Sequence, residues 1–326
     1  MNDAAAKKYF TGLRRLFNKH ETILFIAMLV LIFVFSMFSE TFFTKSNFLT
    51  ILNQSSMVFI IAVGMTIVII LGGIDLSAGY VAGLSGIVVA IMLSSGVPVF
   101  AAVLIGLILG AAAGFFNGII ITKIGITDFI VTLASMSIAH GLIYSICGGN
   151  SIYKGIPKSF MILGQGKVFF NIPIPVLLAV MVFFVGHTIL SKTALGTYFY
   201  AVGGNKDSSR LSGIKIDTVR ITGYIICGIT ASFAGIIMTS RLGSGQPTAG
   251  DSFLFDAIGA TVIGGTNMSG GEGTIYGTAI GVVIIGIISN GLTQLGVSFF
   301  SQEVIKGFIL IFAVTYNYFR VKRANG

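Results

Sequence analysis

Between Lys45 and Lys123 the chain carries one charged residue, Asp75, inside the run Gly72-Gly73-Ile74-Asp75-Leu76-Ser77-Ala78-Gly79. A carboxylate two residues before a serine can accept backbone N–H groups, cap a helix start, or hold a proton or cation. Its flanks are apolar for a membrane-spanning length. A carboxylate in hydrocarbon is so costly that it must face protein, water or a helix end. The glycines and the serine oppose one continuous helix, so the spacing predicts unwound backbone around Asp75. Such backbone is tolerated at membrane depth only where it is buried in protein or lines a cavity. A simpler role, in which Asp75 or Ser77 N-caps the next helix, fits the same residues.

Other reactive side chains form no constellation. His20, His140 and His187 are far apart and lack metal-ligand spacing, and Cys147 and Cys227 each lie in an apolar run. Neither a disulfide nor a zinc site is expected from them. Gly166-Lys167 lacks both the earlier glycine and the following Ser/Thr of a phosphate-binding loop. Met268-Ser269-Gly270-Gly271-Glu272 looks superficially like the signature of ATP-binding-cassette (ABC) ATPases, but it lies between two apolar spans in a chain without a nucleotide fold. The chain is read as no catalyst, binding no cofactor of its own.

The elements that hold Asp75 follow from composition. The chain is 55% hydrophobic and only 10% charged, against about 25% charged in a soluble domain. Its net charge of +9 lies in short loops, which opposes a nucleic-acid face. Hydropathy gives an all-α, polytopic membrane protein with about ten spans, near 22–39, 51–71, 77–94, 98–120, 127–147, 174–190, 219–240, 253–264, 275–295 and 303–319. Broken or re-entrant helices are expected near 72–77 and 253–271, the eighth span being too short to cross alone. A basic N-terminal tail (1–21) precedes one transmembrane domain (22–319) with a long polar loop at 191–218, and a short tail closes the chain (320–326). The first apolar run ends in Ser36-Met37-Phe38-Ser39-Glu40 without a small-x-small cleavage site, so it reads as an uncleaved helix.

Lysines and arginines set the expected orientation. With the N-terminus inside, the cytoplasm collects Lys7, Lys8, Arg14, Arg15, Lys19, Lys123, Lys192, Lys206, Arg210, Lys215, Arg220, Arg320, Lys322 and Arg323. The outside receives Lys45, Lys154, Lys158, Lys167 and Arg241, and Pro98, Pro157, Pro173, Pro175 and Pro247 fall in outer loops. Both termini are then cytoplasmic.

Two patterns concern architecture. Gly106, Gly110, Gly114 and Gly118 recur every four residues on one helix face, where another backbone can approach closely. The Asp75 run also has an echo, Gly264-Gly265-Thr266-Asn267-Met268-Ser269-Gly270-Gly271, matching it as Gly-Gly-x-Asp/Asn-x-Ser-x-Gly. Broken helices at corresponding places are common in repeat-built transporters, and chance in a glycine-rich chain is the alternative.

In the polar loop, 203–214 reads as a short capped helix: Asn205 suits the N-cap, Asp207 the positive first turn, and Gly213 the left-handed C′ position. A helix of about two turns is marginal alone in water, so it needs a docking partner.

These residues resemble the permease subunits of ribose-type ABC sugar importers, the second carbohydrate-uptake class. The resemblance rests on Ala62-Val63-Gly64-Met65-Thr66 leading into Gly73-Ile74-Asp75-Leu76-Ser77, and on Ala201-Val202-Gly203-Gly204-Asn205 leading into Arg210-Leu211-Ser212-Gly213-Ile214. Gln246-Pro247-Thr248-Ala249-Gly250, Asp256-Ala257-Ile258, Gly264-Gly265-Thr266 and Asn290-Gly291-Leu292 extend it over nearly the whole chain. It implies a bacterial inner-membrane subunit that pairs with a second, identical or different, permease chain. It further implies cytoplasmic ABC ATPases using ATP and Mg, a periplasmic sugar-binding protein, and lipid around the subunit. Residues 205–213 become the coupling helix, with Asn205, Asp207, Arg210, Leu211 and Gly213 meeting the ATPase. Asn53, Gln54, Asp75, Ser77 and Asn117 become candidates for the sugar path, and Lys154, Lys158, Gln246 and Asp251, in the outer loops 148–172 and 242–252, for contact with the binding protein.

The competing reading is an ion-coupled secondary transporter of a small polar solute, with Asp75 as its ion site. Branched-chain amino-acid permeases share the wider fold, but the Gly-Gly-Asn loop and Gly-Ile-Asp-Leu-Ser favour sugars. Ribose is the first expectation, with allose, another pentose or a furanose close behind.

Overall fold

A computed structural model describes residues 20–251 and 253–325, so Lys7, Lys8, Arg14, Arg15 and Lys19 of the basic tail lie outside the described residues. The elements run α1 His20–Phe38, α2 Lys45–Ile70, α3 Ala78–Ser94, α4 Val99–Ile119 with a π-helical turn Ile120–Ile124, and α5 Asp128–Cys147. A short helix α6 Lys158–Gln165 and a small hairpin, β1 Lys167–Val168 and β2 Ile172–Pro173, lead to α7 Ile174–Lys192. Then come α8 Ala194–Gly204, α9 Lys206–Leu211, α10 Ile216–Leu242, α11 Phe253–Ile263, α12 Ile275–Gln294 and α13 Phe299–Asn325.

The ten expected spans correspond to α1–α5, α7 and α10–α13. Six helices among the described residues are long and apolar enough to cross a membrane (α2, α4 with its π turn, α5, α7, α10 and α12), and α1, α3 and α11 have shorter apolar stretches. Pro98, Pro157 and Pro173 occupy N-cap positions and Pro175 the first turn of α7, where a missing N–H costs no helical hydrogen bond.

Helix α2 is apolar around its whole circumference after Ser56, and such a helix belongs in the interior. It runs through the centre, with Ile60, Ile61, Met65, Ile67 and Ile70 fully buried. The glycine ladder of α4 lies against α10. A Cβ at Gly110 would strike the Gly228 carbonyl and Ser232, one at Gly114 the Tyr224 carbonyl, and one at Gly118 the Ile221 backbone. Ser232 Oγ donates to the Gly106 carbonyl across the same contact. Small residues therefore bring two backbones together where hydrocarbon gives side chains no hydrophobic drive to associate.

Both expected breaks are present. Residues 71–77 between α2 and α3 are non-helical, with Gly72 at φ 73°. Residues 264–274 separate α12 from α11, a helix of 11 residues that is about 17 Å long and spans roughly half a hydrocarbon core. Before α11, residues 244–251 form a strap that packs along α3: Gly245 lies against Ile87 and Ala90, and Gly250 against Gly79 and Tyr80.

Candidate functional site

Asp75 is 1% exposed, held inside the protein. Its Oδ1 accepts the Ser77 N–H at 2.9 Å and the Ser77 hydroxyl at 2.6 Å, and the Cys227 thiol of α10 also reaches the carboxylate. The Ser77 hydroxyl thus turns back to Asp75 and does not cap α3, which has no side-chain N-cap bond. From Ser77 a buried chain continues: Asn117 Nδ2 donates to Ser77 Oγ at 2.9 Å, and Ser135 Oγ donates to Asn117 Oδ1 at 2.5 Å. One local turn is thereby tied to α4, α5 and α10. Thr132 and Ser135 stand level with the break, four and seven residues from Asp128 at the start of α5. The unwound turn is therefore about 6–10 Å in from that end of α5. Asp75, Ser77 and Asn117 come together here. Asn53 and Gln54 lie far along α2, about 25 Å from its end at the break.

The echo has the same internal bond. Asn267 Oδ1 accepts the Ser269 N–H at 2.9 Å. The two turns also touch: Gly271 N–H donates to the Ile70 carbonyl at 2.8 Å, and a Cβ on Gly270 would press on Gly72 and the Gly203 carbonyl. Gly203, from α8, has no room for a Cβ beside the Ile70 carbonyl and Gly271 nitrogen. Thr66 and Thr278 share a 2.7 Å hydroxyl bond between α2 and α12 just above.

Beside this seam, α9 forms as its caps require. Asn205 Oδ1 accepts the Ser208 N–H at 2.9 Å, Asp207 sits in the first turn, and Gly213 takes φ 81° after the C-cap Ser212. Leu211 is 90% exposed at the end of α9, beside the exposed Arg210. Desolvation, then the nearby Arg220 charge, pushes the Lys206 ammonium below the usual lysine range, with Asp128 opposing. Arg220 Nη2 donates to both carboxylate oxygens of Asp128 at 2.7 Å, and the Tyr224 hydroxyl donates to Asp128 Oδ2 at 2.7 Å. This pair joins the start of α10, just past α9, to the start of α5.

Lys154 and Lys158 are exposed in the 148–172 loop, which is joined to the strap by reciprocal Ile152–Gly245 backbone hydrogen bonds at 2.8 Å, while the strap holds Gln246 half-buried and brings Asp251 beside Tyr80. The sequence reading missed the Asp128–Arg220–Tyr224 network, and also the ion pair of Lys306 with Asp256 (3.1 Å) and Glu303 (3.0 Å) between α11 and α13. Charged residues of opposite sign in two apolar spans were a usable signal, because ionisable groups at membrane depth pair with one another.

A family model described as branched-chain amino acid transport system / permease component matches residues 47–314, most of the chain. The chain belongs to this permease family. It is a multi-pass transport subunit and not an enzyme. The permease is 44% identical over 291 residues to the ribose import permease protein RbsC of Bacillus subtilis, covering 89% of this chain and 90% of the relative. It is 41% identical to RbsC of Escherichia coli K12, covering 95% and 96% of the two chains. With the D-allose transport system permease protein AlsC of Escherichia coli K12 the identity is 37%, covering 96% and 95%. No solved structure matches the permease.

Proposed function

We propose that this chain is the membrane-spanning subunit of an ATP-driven importer in a bacterial inner membrane and forms the path for a monosaccharide, ribose or a related sugar such as allose. The observation that carries the reading is the identity of 41% to a ribose import permease along 95% of the chain. The geometry supports it. A capped two-turn helix with a bare leucine at its end suits docking to a separate ATPase, and the Arg220–Asp128 pair ties the start of α10, just beyond that helix, to α5, which contacts the Asp75 break. In this reading Asn205, Asp207, Arg210, Leu211 and Gly213 meet the ATPase, which uses ATP and Mg. Lys154 and Lys158 face a periplasmic sugar-binding protein, both termini are cytoplasmic, and a second permease chain completes the path.

The test is reconstitution in proteoliposomes with a cognate ATPase and binding protein, measuring labelled ribose and allose uptake. Uptake that requires ATP and the binding protein is expected. Uptake driven by a proton or sodium gradient without ATP would establish the secondary-transporter reading instead.

A further inference from the structure

Four side chains that the Asp75 site does not use meet on one exposed face. The Tyr80 and His140 rings stand edge to face at 5.1 Å between centroids, and His140 and Tyr144 do the same at 4.9 Å. The Asp251 carboxylate comes within hydrogen-bonding reach of the Tyr80 hydroxyl, and the Tyr144 phenol is close enough to act on that hydroxyl electrostatically. The backbone fixes this meeting. Gly79 and Gly250 approach so closely that a Cβ on either would strike the other's carbonyl, which pins the strap against α3 one residue from both Tyr80 and Asp251. Leu84, Ile87, Ala139 and Ile143 pack α3 onto α5 and set Tyr80 opposite His140.

Depth turns the cluster into a site. His140 is 12 residues along α5 from Asp128, so it stands about 18 Å in from that end of a helix that is about 30 Å long. It is exposed in the single chain, on the same face as Ser137 and Tyr144. An imidazole and a carboxylate at that depth cannot rest against lipid tails. They face water or another protein chain. The opposite flank of α5 shows Ile138 and Leu142 instead, as a lipid-facing surface should.

We infer that Tyr80, His140, Tyr144 and Asp251 form a monosaccharide subsite on the water-filled path between two permease chains. The chemistry fits a sugar. Aromatic faces pack on its C–H surface, while a carboxylate and an imidazole bond its hydroxyls. The inference rests on the importer reading above, and it assigns Asp251 to the path instead of to the binding protein.

The test uses the whole complex in proteoliposomes. His140→Cys, Tyr144→Cys and Ile138→Cys are each exposed to a membrane-impermeant cationic thiosulfonate, with the wild type, whose Cys147 and Cys227 are buried, as baseline. The two site cysteines should react quickly and be protected by ribose or allose, and Ile138→Cys should stay near baseline. In uptake, Asp251→Asn and His140→Ala should each raise the half-maximal sugar concentration about tenfold, as the loss of a strong hydrogen bond does. A His140→Cys as unreactive as Ile138→Cys overturns the proposal. So does reactivity without sugar protection together with unchanged uptake, and the importer reading then survives if the wild type carries either sugar. A wild type that carries neither sugar under ATP overturns both.

Discussion

Asp75 Oδ1 and Asn267 Oδ1 each accept the backbone N–H of the serine two residues on, Ser77 and Ser269, at 2.9 Å in both cases. One turn uses a carboxylate and the other an amide, so the bond does not require charge. The carboxylate has no lysine or arginine partner among the described residues, and its neighbours are hydrogen-bond donors.

The Asp75→Asn variant should therefore keep most of the ATP-driven sugar uptake in proteoliposomes, because an amide oxygen already holds the matching turn. Asp75→Leu should lose most of it, since it strands the Ser77 N–H and hydroxyl in the interior at about 1–3 kcal/mol each. An abolished Asn variant beside a tolerated Leu variant would refute the hydrogen-bonding role.

Substitution of Gly110 or Gly114 by leucine should prevent α4 from seating on α10. Overpacking costs about 1–3 kcal/mol where neighbours can move, and more here because the obstacles are backbone carbonyls. The expected readout is a lowered melting temperature of the purified protein in detergent. Gly141→Ala is the control: nothing lies within 4 Å of its added Cβ, so its melting temperature should not fall.

Breaking the Arg220–Asp128 pair should be costly, because the Arg220 and Asp128 side chains are only 11% and 17% exposed. Arg220→Ala or Asp128→Ala alone should destabilise by about 3–5 kcal/mol by leaving the other charge buried. Arg220→Met with Asp128→Leu should recover part of that loss in denaturant melts. Additive losses in the double variant would show that the two residues act independently.

Leu211→Asp should change thermal stability little, within about 0.5 kcal/mol, as exposed substitutions do. It should nevertheless uncouple ATP hydrolysis from uptake. Gly213→Val should uncouple as well and also destabilise α9, since a side chain in the left-handed region costs about 1–2 kcal/mol. Wild-type uptake by either variant at wild-type abundance would remove α9 from the coupling path.

The legible parts of this chain were those encoded locally. A lone charge among glycines marked the break at 71–77, a short apolar run marked α11 as half a span, and Asn205 and Gly213 bracketed α9 as the caps require. The glycine ladder announced a close helix contact but not that α10 was the partner. Periodicity gives the face of a helix, not what lies against it. The Arg220–Asp128 pair joins residues 92 apart and the Lys306–Asp256 pair residues 50 apart, so neither leaves a local spacing to read. Tyr80 likewise read as an ordinary span residue, and Asp251 as an outer-loop residue for the binding protein, until the strap folded back along α3.

At the seam where α8, the Asp75 turn and the Asn267 turn meet, Gly203, Gly72, Gly270 and Gly271 touch through main chain alone. Side chains are the springs of a protein interior, because they change rotamer and absorb small displacements. A joint made of bare backbone has no such slack. A displacement of α8 therefore meets both turns with no side-chain rotamer in between to take it up.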